Sequence, residues 1–274
     1  MDNRISRAIF AGGFRSPEGP SFDRQGTLHI VDCDGLTVYR CAPNGTVRPF
    51  VNTGGRPTGS KFHRNGHLFV ADSGRGEILE ISPDGSLQIA ASVYRGQKFK
   101  GPNDLCFASN GDLYFTDPKG SDPQHPIGNV YILRHDGEVE LFASGFQFPN
   151  GIVLSDDQHF LFLAETYTRR VHVFELDDAG RQSSRRVFSE LSGGLGPDGM
   201  AIGQDGNLYV AEYGAGAIAV VDPAGLVTAE LSVGGAKPTN LAFWESSLYV
   251  TEAEKGTVER LDLGIMGQVL YGLS

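Results

Sequence analysis

The sequence predicts an all-β fold, a six-bladed β-propeller whose blades each contain four antiparallel strands. The first indication is a proline that opens a short apolar run six times, at intervals of 40 to 48 residues. The six prolines are Pro17, Pro57, Pro102, Pro149, Pro197 and Pro238. The second indication is that no segment keeps a helical period for about ten residues. Repeats of roughly 45 residues with four strands each are typical of propeller blades.

Each repeat has the same order of elements. The apolar run after the proline is the inner strand, and a turn such as DRQG or HRNG follows, with glycine where a positive φ is needed. Two alternating strands come next, LHIVD and TVYRCA in the first repeat, and the turn PNGT leads to an outer strand, VRPFV. Val, Ile, Tyr, Phe and Thr at period two are the signature of strands.

The second strand of every repeat ends in an acidic residue. These residues are Asp32, Asp72, Asp117, Glu165, Glu212 and Glu252. Because all six repeats have one, we expect a structural role, in which the carboxylates accept backbone N–H hydrogen bonds at strand ends.

The two ends of the chain compete for one place in the ring. The amino-terminal text ISRAIFAGGF matches the outer-strand text VELFASGFQF of the third repeat, so we expect it to supply the outer strand of the last blade and close the ring. The carboxyl-terminal text QVLYG reads as an outer strand too, and the sequence leaves that choice open. Six repeats fill the chain, which predicts a single propeller domain over residues 1–274.

Composition narrows the class of partner. The formal net charge of −10 argues against nucleic acid and anionic membranes, which both need a basic face. Three cysteines are too few for a disulfide framework, and we expect buried thiols. No apolar segment is long enough for a signal peptide or a transmembrane span. These features predict a cytoplasmic location.

The residue after each proline differs from repeat to repeat, although the surrounding frame is kept. These residues are Glu18, Thr58, Asn103, Asn150, Asp198 and Thr239. In a propeller the inner strand begins beside the central channel, so the six side chains are predicted to form a ring at one mouth of it. The alternative is a polar lining of a wet channel.

Four of the six ring residues offer carboxylate or amide oxygens, the ligands that hard cations prefer. We therefore predict one divalent cation, with Glu18, Asn150 and Asp198 as direct ligands and Asn103 bound directly or through water. Calcium is favoured because the ring has no His or Cys, while zinc, manganese and magnesium remain alternatives.

Other residues are predicted to lie close to the same mouth. Asp104 follows Asn103, where other repeats have Gly or Asn, and is interpreted as orienting a substrate hydroxyl or a metal-bound water, or as capping a turn. Lys98 and Lys100 precede Asn103, and Lys100 is a candidate contact for an anionic or hydroxylated substrate, or a solvated lysine. The proline-containing segment 118–128 is predicted to form a semi-rigid lid.

Four segments together resemble the gluconolactonase, senescence-marker-protein (regucalcin) and luciferin-regenerating-enzyme family. They are SPEGPSF (16–22), GPNDLCFASNGDLYFTDP (101–118), FPNGIVLSDD (148–157) and GPDGMAIGQDGNLYVAE (196–212). The resemblance implies a six-bladed propeller with a divalent cation in its channel and lactone hydrolysis as its activity. It matches Glu18, Asn150 and Asp198 to the family's metal ligands, Asn103 to a position that touches water or substrate, and Asp198 to its catalytic carboxylate.

One position departs from that pattern. Gly101 stands where the animal sugar-lactonases of the family have an arginine, and Lys98 or Lys100 is the nearest candidate to replace it. We therefore expect the loops, and not the ring, to set the choice of substrate.

The sequence as a whole predicts a metal-dependent hydrolase that opens a small-molecule lactone by attack of water on a cation-polarised carbonyl group. Asp198 would act as general base or as nucleophile, and Asn103 with Asp104 would orient water and substrate. Two alternatives remain, a phosphotriester or phosphofluoridate hydrolase with the same site and a non-catalytic calcium-binding propeller.

Overall fold

The computed structural model describes residues 5–273 and has the predicted propeller fold. Six four-stranded antiparallel sheets form the six blades, and within five of them the strands follow one another in chain order from the channel outwards. We call the end at which the inner strands begin the upper mouth of the channel and the other end the lower mouth.

The strands are numbered in chain order. Blade 1 contains β2 (Pro17–Phe22), β3 (Leu28–Asp32), β4 (Thr37–Cys41) and β5 (Val47–Asn52). Blade 2 contains β6 (Pro57–Phe62), β7 (Leu68–Asp72), β8 (Glu77–Ile81) and β9 (Leu87–Ala91). A small hairpin, β10 (Val93–Tyr94) and β11 (Gln97–Lys98), follows. Blade 3 contains β12 (Leu105–Phe107), β13 (Leu113–Asp117), β14 (Gly128–Leu133) and β15 (Val139–Phe146).

The remaining blades have the same plan. Blade 4 contains β16 (Pro149–Leu154), β17 (Phe160–Glu165), β18 (Arg170–Leu176) and β19 (Gln182–Glu190), with a 3₁₀ turn at Thr166–Thr168. Blade 5 contains β20 (Gly196–Ile202), β21 (Leu208–Tyr213), β22 (Ala217–Val221) and β23 (Val227–Ser232). Blade 6 contains β24 (Pro238–Trp244), β25 (Ser247–Glu252), β26 (Thr257–Asp262) and β1 (Ser6–Gly12).

The ring is closed by the amino-terminal strand, as predicted. β1 runs antiparallel to β26, with Ser6 opposite Asp262 and Gly12 opposite Thr257. The competing text QVLYG joins no blade. Apart from a backbone bridge between Gly203 and Gly267, residues 264–273 contain no strand pairing.

These last residues, which we call the C-terminal strap, cross the lower mouth. The Gln268 backbone N–H donates to the Ile202 carbonyl (3.0 Å) and its side-chain amide to the Leu154 carbonyl (2.8 Å). The Tyr271 ring contacts the Phe107 ring with centroids 5.3 Å apart. Since these three partners end the inner strands of blades 5, 4 and 3, the strap spans the channel.

The inner strands approach one another closely at the upper mouth, and glycine makes that approach possible. A Cβ atom on Gly151 would lie 2.2 Å from the carbonyl oxygen of Asp198 in the next blade. One on Gly59 would lie 2.5 Å from the carbonyl oxygen of Asn103. The residues after the prolines are therefore drawn together around the axis.

The structure also bears on the cysteines and on membrane-spanning segments. Cys33, Cys41 and Cys106 are buried and unpaired, so the expected free thiols are present. Within residues 5–273 no helix is long and apolar enough to cross a membrane.

Candidate metal centre at the upper mouth

Three of the predicted ligand residues meet at the axis. Glu18, Asn150 and Asp198 are all buried, with exposed fractions of 9, 5 and 7%. The Asn150 amide donates to the Thr166 hydroxyl group (3.1 Å) and lies close to the Asp198 carboxylate, and the charges of Glu18 and Asp198 interact. Residues 18 and 198 thus become neighbours through the ring.

Asn103, the fourth predicted ligand, is half-buried in the same ring. Its backbone N–H donates to the Thr116 carbonyl (2.9 Å) within blade 3. In the described part of the chain no hydrogen bond engages its side-chain amide, which leaves the amide oxygen available to an ion or a substrate.

The carboxyl groups of this centre have strongly shifted pKa values. Burial is the main cause and the charge of Asp104 the second, and together they raise the pKa of Glu18 to about 8. Burial, then the charges of Glu18 and Asp104, raise the pKa of Asp198 well above its ordinary value. Burial likewise raises the pKa of Asp104. Deprotonated together, these groups repel one another in a desolvated space.

A bound cation would relieve this repulsion between the carboxylates. Within residues 5–273 none of these three carboxylates forms an ion pair with a basic side chain. In the same residues no group of three His, Cys, Asp or Glu side chains could hold a metal alone, so an ion here would take Asn oxygens as well. Two carboxylates with one or two amides suit a hard divalent cation such as calcium.

Three threonine hydroxyl groups hold the peptide bonds that precede candidate ligands. They donate from Thr58 to the Pro102 carbonyl (3.1 Å), from Thr166 to the Pro197 carbonyl (2.8 Å) and from Thr239 to the Pro17 carbonyl (2.8 Å). Each bond joins two neighbouring blades directly beside Asn103, Asp198 or Glu18. Two ring positions with no predicted metal role, Thr58 and Thr239, thus fix the positions of the ligand candidates.

The acidic set at the ends of the second strands is structural, as expected. Asp32 accepts the backbone N–H groups of Arg15 (2.9 Å) and Ser16 (2.8 Å), immediately before Pro17. The other five also accept backbone N–H groups, from Arg56, Lys100, Gln147, Gly193 and Lys237 respectively. These carboxylates hold the loops that lead into the inner strands.

Asp104 and Asn240 lie directly below the ring, and both are buried. The Asn240 amide reaches the Asp104 carboxylate at 3.4 Å and lies close to Glu18. Sequence reasoning selected Asp104 but missed Asn240. The sequence did mark Asn240, because the residue after the ring position is glycine in four of the six repeats and polar only at Asp104 and Asn240.

The rim of the mouth is basic on one side and aromatic on another. The Lys100 ammonium group donates to the Ile127 carbonyl (2.5 Å), so it fastens the 118–128 segment. A Cβ atom on Gly101 would lie 2.6 Å from the Lys119 side chain. Lys119 from the long loop thus lies against Gly101, and replacement of the family's arginine by Lys98 or Lys100 stays a prediction.

Phe148, which the sequence did not single out, lies immediately before Pro149 and Asn150. Its φ of 67° is in the left-handed region, which a bulky residue rarely adopts, so the surrounding structure enforces it. Its ring packs edge-on against Tyr167, with centroids 5.5 Å apart. These rings give the mouth an apolar side next to the candidate ligands.

Comparisons with known proteins agree with this architecture. The model of the SMP-30/gluconolactonase/LRE-like region matches residues 16–254. Diisopropyl-fluorophosphatase of Loligo vulgaris is 30% identical over 93% of this chain and 91% of its own length. Lactonase drp35 of Staphylococcus aureus is 32% identical over 80% of this chain and 70% of its own.

A solved gluconolactonase structure from Xanthomonas campestris superimposes with a TM-score of 0.86 at 26% identity, covering 95% of this chain and 90% of that one. The fold and its axial centre thus define a six-bladed propeller of the type that includes lactonases. The chain belongs to the SMP-30/gluconolactonase/LRE-like family.

Proposed function

We propose that this protein is a metal-dependent lactonase that holds one divalent cation, calcium in the first place, at the upper mouth. The observation that supports this most is the convergence of buried Glu18, Asn150 and Asp198, whose carboxylates form no ion pair with a basic side chain within residues 5–273. The names of the Staphylococcus aureus and Xanthomonas campestris proteins point to the same reaction class.

Each residue of the centre has a proposed task. Glu18, Asn150 and Asp198 hold the ion, and Asn103 binds it directly or through water. When bound, the cation polarises the carbonyl group of the lactone and stabilises the negative charge that develops on its oxygen. Asp198 takes the proton of the attacking water or attacks the carbonyl carbon itself, and both routes need its negative charge.

The residues around the centre orient the substrate. Asp104 and Asn240 fix Glu18 from below, and Asp104 with Asn103 positions water and substrate. Lys100 and Lys119 supply positive charge at the rim, while Phe148 offers an apolar surface. We treat the six blades as one domain and place the protein in the cytoplasm, since its cysteines are unpaired thiols. The net charge of −10 supports no nucleic-acid or membrane partner.

One relative favours a second candidate reaction. The Loligo vulgaris protein is named for the hydrolysis of a phosphofluoridate, and it matches almost the whole chain. A phosphoryl oxygen can be polarised by the same ion, so organophosphate ester hydrolysis is the proposed alternative.

A substrate panel on metal-free and calcium-loaded protein tests the proposal. We expect turnover of γ- and δ-lactones that calcium restores, with slower turnover of a phosphofluoridate. Asp34→Asn, on an exposed upper loop, is the matched control for Asp198→Asn. Faster organophosphate turnover would select the alternative reaction, and calcium binding without any turnover would indicate a calcium-binding propeller.

A further inference from the structure

Two adjoining cavities of about 260 and 40 Å³ lie in the lower part of the channel. Lys61 of the inner strand β6 lines both, three residues after the ring position Thr58, which places its backbone roughly 10 Å below the ring. Ser21 of β2 and Val153 of β16 line both cavities too. None of the candidate metal ligands lines either cavity, so this space is separate from the upper-mouth centre.

Lys61 has no anionic partner in this space. It is half-buried, and within residues 5–273 it forms neither a hydrogen bond nor an ion pair. Among the residues that line the two cavities, Asp156 is the one with a carboxylate, and it is exposed in the turn after β16. A partly desolvated ammonium group attracts an anion more strongly than one in bulk water does. The charge of Lys61 therefore favours an anionic ligand.

Ser21 offers a second polar group without a partner. Its exposed fraction is 4%, and within residues 5–273 no hydrogen bond engages its hydroxyl group. The hydroxyl oxygen is not fully enclosed by protein atoms, so it faces the cavity. Because buried polar groups are normally hydrogen-bonded, a hydroxyl group left open towards a cavity indicates a water or a ligand as its partner.

The rest of the cavity walls is mostly apolar. Phe62, Phe107 and Leu154 contribute to the larger cavity, and Leu270 and Leu273 of the C-terminal strap contribute to both. Apolar walls with a few polar groups that orient the ligand are typical of small-molecule sites. At about 30 Å³ for each water-sized group, the two cavities have room for about ten non-hydrogen atoms. This size suits a carboxylate with an alkyl chain of about eight carbon atoms.

We propose that the lower channel is a binding site for a medium-chain alkyl carboxylate. Its carboxylate group binds Lys61 and Ser21, and its chain lies against the apolar walls under the C-terminal strap. The site is distinct from the metal centre and does not depend on the proposed lactonase activity. Two sources share this ligand chemistry, namely saturated alkanoates and the hydroxyalkanoates that form when alkyl lactones are opened.

Calorimetric titration of chelator-treated protein with octanoate tests the site, because without metal no ion at the upper mouth can bind the carboxylate. Octanamide is the uncharged probe of nearly the same shape. We expect saturable binding of octanoate to the wild-type protein and about 10-fold weaker binding of octanamide, as loss of a charge-assisted hydrogen bond predicts. In Lys61→Met octanoate affinity should fall about 10-fold, to that of octanamide.

Three further variants make the result specific. Lys237→Met removes the same charge from an exposed residue at the upper end of β24 and should leave octanoate affinity unchanged. Leu270→Ala removes part of an apolar wall and should weaken octanoate and octanamide by the same factor, about 5-fold. Ser21→Ala is a smaller change than Lys61→Met and should weaken octanoate about 10-fold.

A titration with 4-hydroxyoctanoate distinguishes the two sources. Tighter binding than that of octanoate would identify the ring-opened lactone as the ligand, and weaker binding would identify a saturated alkanoate.

The outcomes also separate this inference from the proposed function. Absence of saturable octanoate binding to the wild-type protein would overturn the site while leaving the metal centre intact. An octanoate affinity of Lys61→Met equal to that of the wild type, or equal wild-type affinities for octanoate and octanamide, would overturn the role of the lysine charge and the choice of an anion. Far-ultraviolet circular dichroism confirms that each variant is folded before titration.

Discussion

The hydroxyl group of Thr239 donates a hydrogen bond to the carbonyl oxygen of Pro17, 222 residues away in the chain (2.8 Å). This bond joins the last blade to the first at the residue before Glu18. It shows that closure of the ring depends on contacts at the axis as well as on the outer strand β1.

Thr239→Val should therefore weaken both the fold and the centre. The substitution keeps the shape but leaves buried acceptors unsatisfied, which costs about 1–3 kcal/mol of the free energy of unfolding. Calcium affinity should fall several-fold because Glu18 loses its fixed backbone, while turnover at saturating calcium stays within a few-fold of wild type. Urea unfolding and calorimetry measure these effects. Thr239→Ser, which keeps the hydroxyl group, should have wild-type stability and calcium affinity. A Ser variant that loses as much stability and affinity as the Val variant would contradict the role of the hydroxyl group.

Asp198→Asn should abolish most turnover while sparing the fold. The amide keeps an oxygen that can bind an ion, but it has neither the charge nor the basicity that attack on the carbonyl needs. We expect kcat to fall roughly 10²-fold or more at saturating calcium. Asp34→Asn is the control with the same chemical change. Near-normal turnover of Asp198→Asn with saturating metal would leave Asp198 as a ligand only.

Stabilisation by calcium should increase with pH. In metal-free protein the raised pKa of Glu18, from 4.5 to about 8, means that its contribution to stability is present below pH 4.5 and is lost as pH rises through about 8. Calcium needs the deprotonated carboxylates, so its binding releases protons and stabilises most where those charges repel most. The difference in Tm with calcium and with a chelator should be small at pH 5 and large at pH 8. A difference in Tm that shrinks towards pH 8 would contradict this prediction. In Glu18→Gln the difference in Tm should depend less on pH.

Arg134 should be a major stabilising residue outside the centre. Its guanidinium group binds Asp112 (2.7 Å) and Glu140 (3.0 Å) and donates to the Ala179 carbonyl of the next blade (2.9 Å). Arg134→Ala leaves the buried Asp112 carboxylate without this partner and should cost about 3 kcal/mol in urea unfolding. Arg181→Ala removes an exposed partner of the same Glu140 and should cost little. Equal losses in the two variants would show that burial of the pair is unimportant.

Substrate preference should depend on residues at the rim of the upper mouth and not on the candidate metal ligands of the ring. Lys119 fills the place next to Gly101, and Phe148 provides an apolar surface, so alkyl-substituted lactones should be turned over at least as well as D-glucono-δ-lactone. Phe148→Ala should raise KM for an alkyl lactone about 10-fold, as expected for loss of a buried aromatic contact. The KM for D-glucono-δ-lactone is the internal control and should change less. A clear preference for aldonolactones would contradict this assignment.

The periodic features of the fold were predictable because each blade repeats a local pattern. The proline positions and the alternating strands located the inner strands in the sequence. The shared position after each proline identified Glu18, Asn103, Asn150 and Asp198 as neighbours. The fate of QVLYG was not predictable, because two segments had strand-like patterns and only the long-range pairing of β1 with β26 decides between them.

The residues that the sequence missed are recognised only in three dimensions. Asn240 reaches Asp104 and approaches Glu18 across blades, and Lys119 folds back over Gly101. None of these contacts follows from a spacing rule, because each depends on how far a side chain extends towards another blade.

The C-terminal strap crosses the lower mouth of the channel, so we expect the ion and the substrate to enter and leave through the upper mouth. A lactone bound at the upper mouth would then slow dissociation of the ion beneath it, and the ion would bind before the substrate. A chelator should consequently inactivate resting protein faster than protein that is saturated with a slowly hydrolysed lactone.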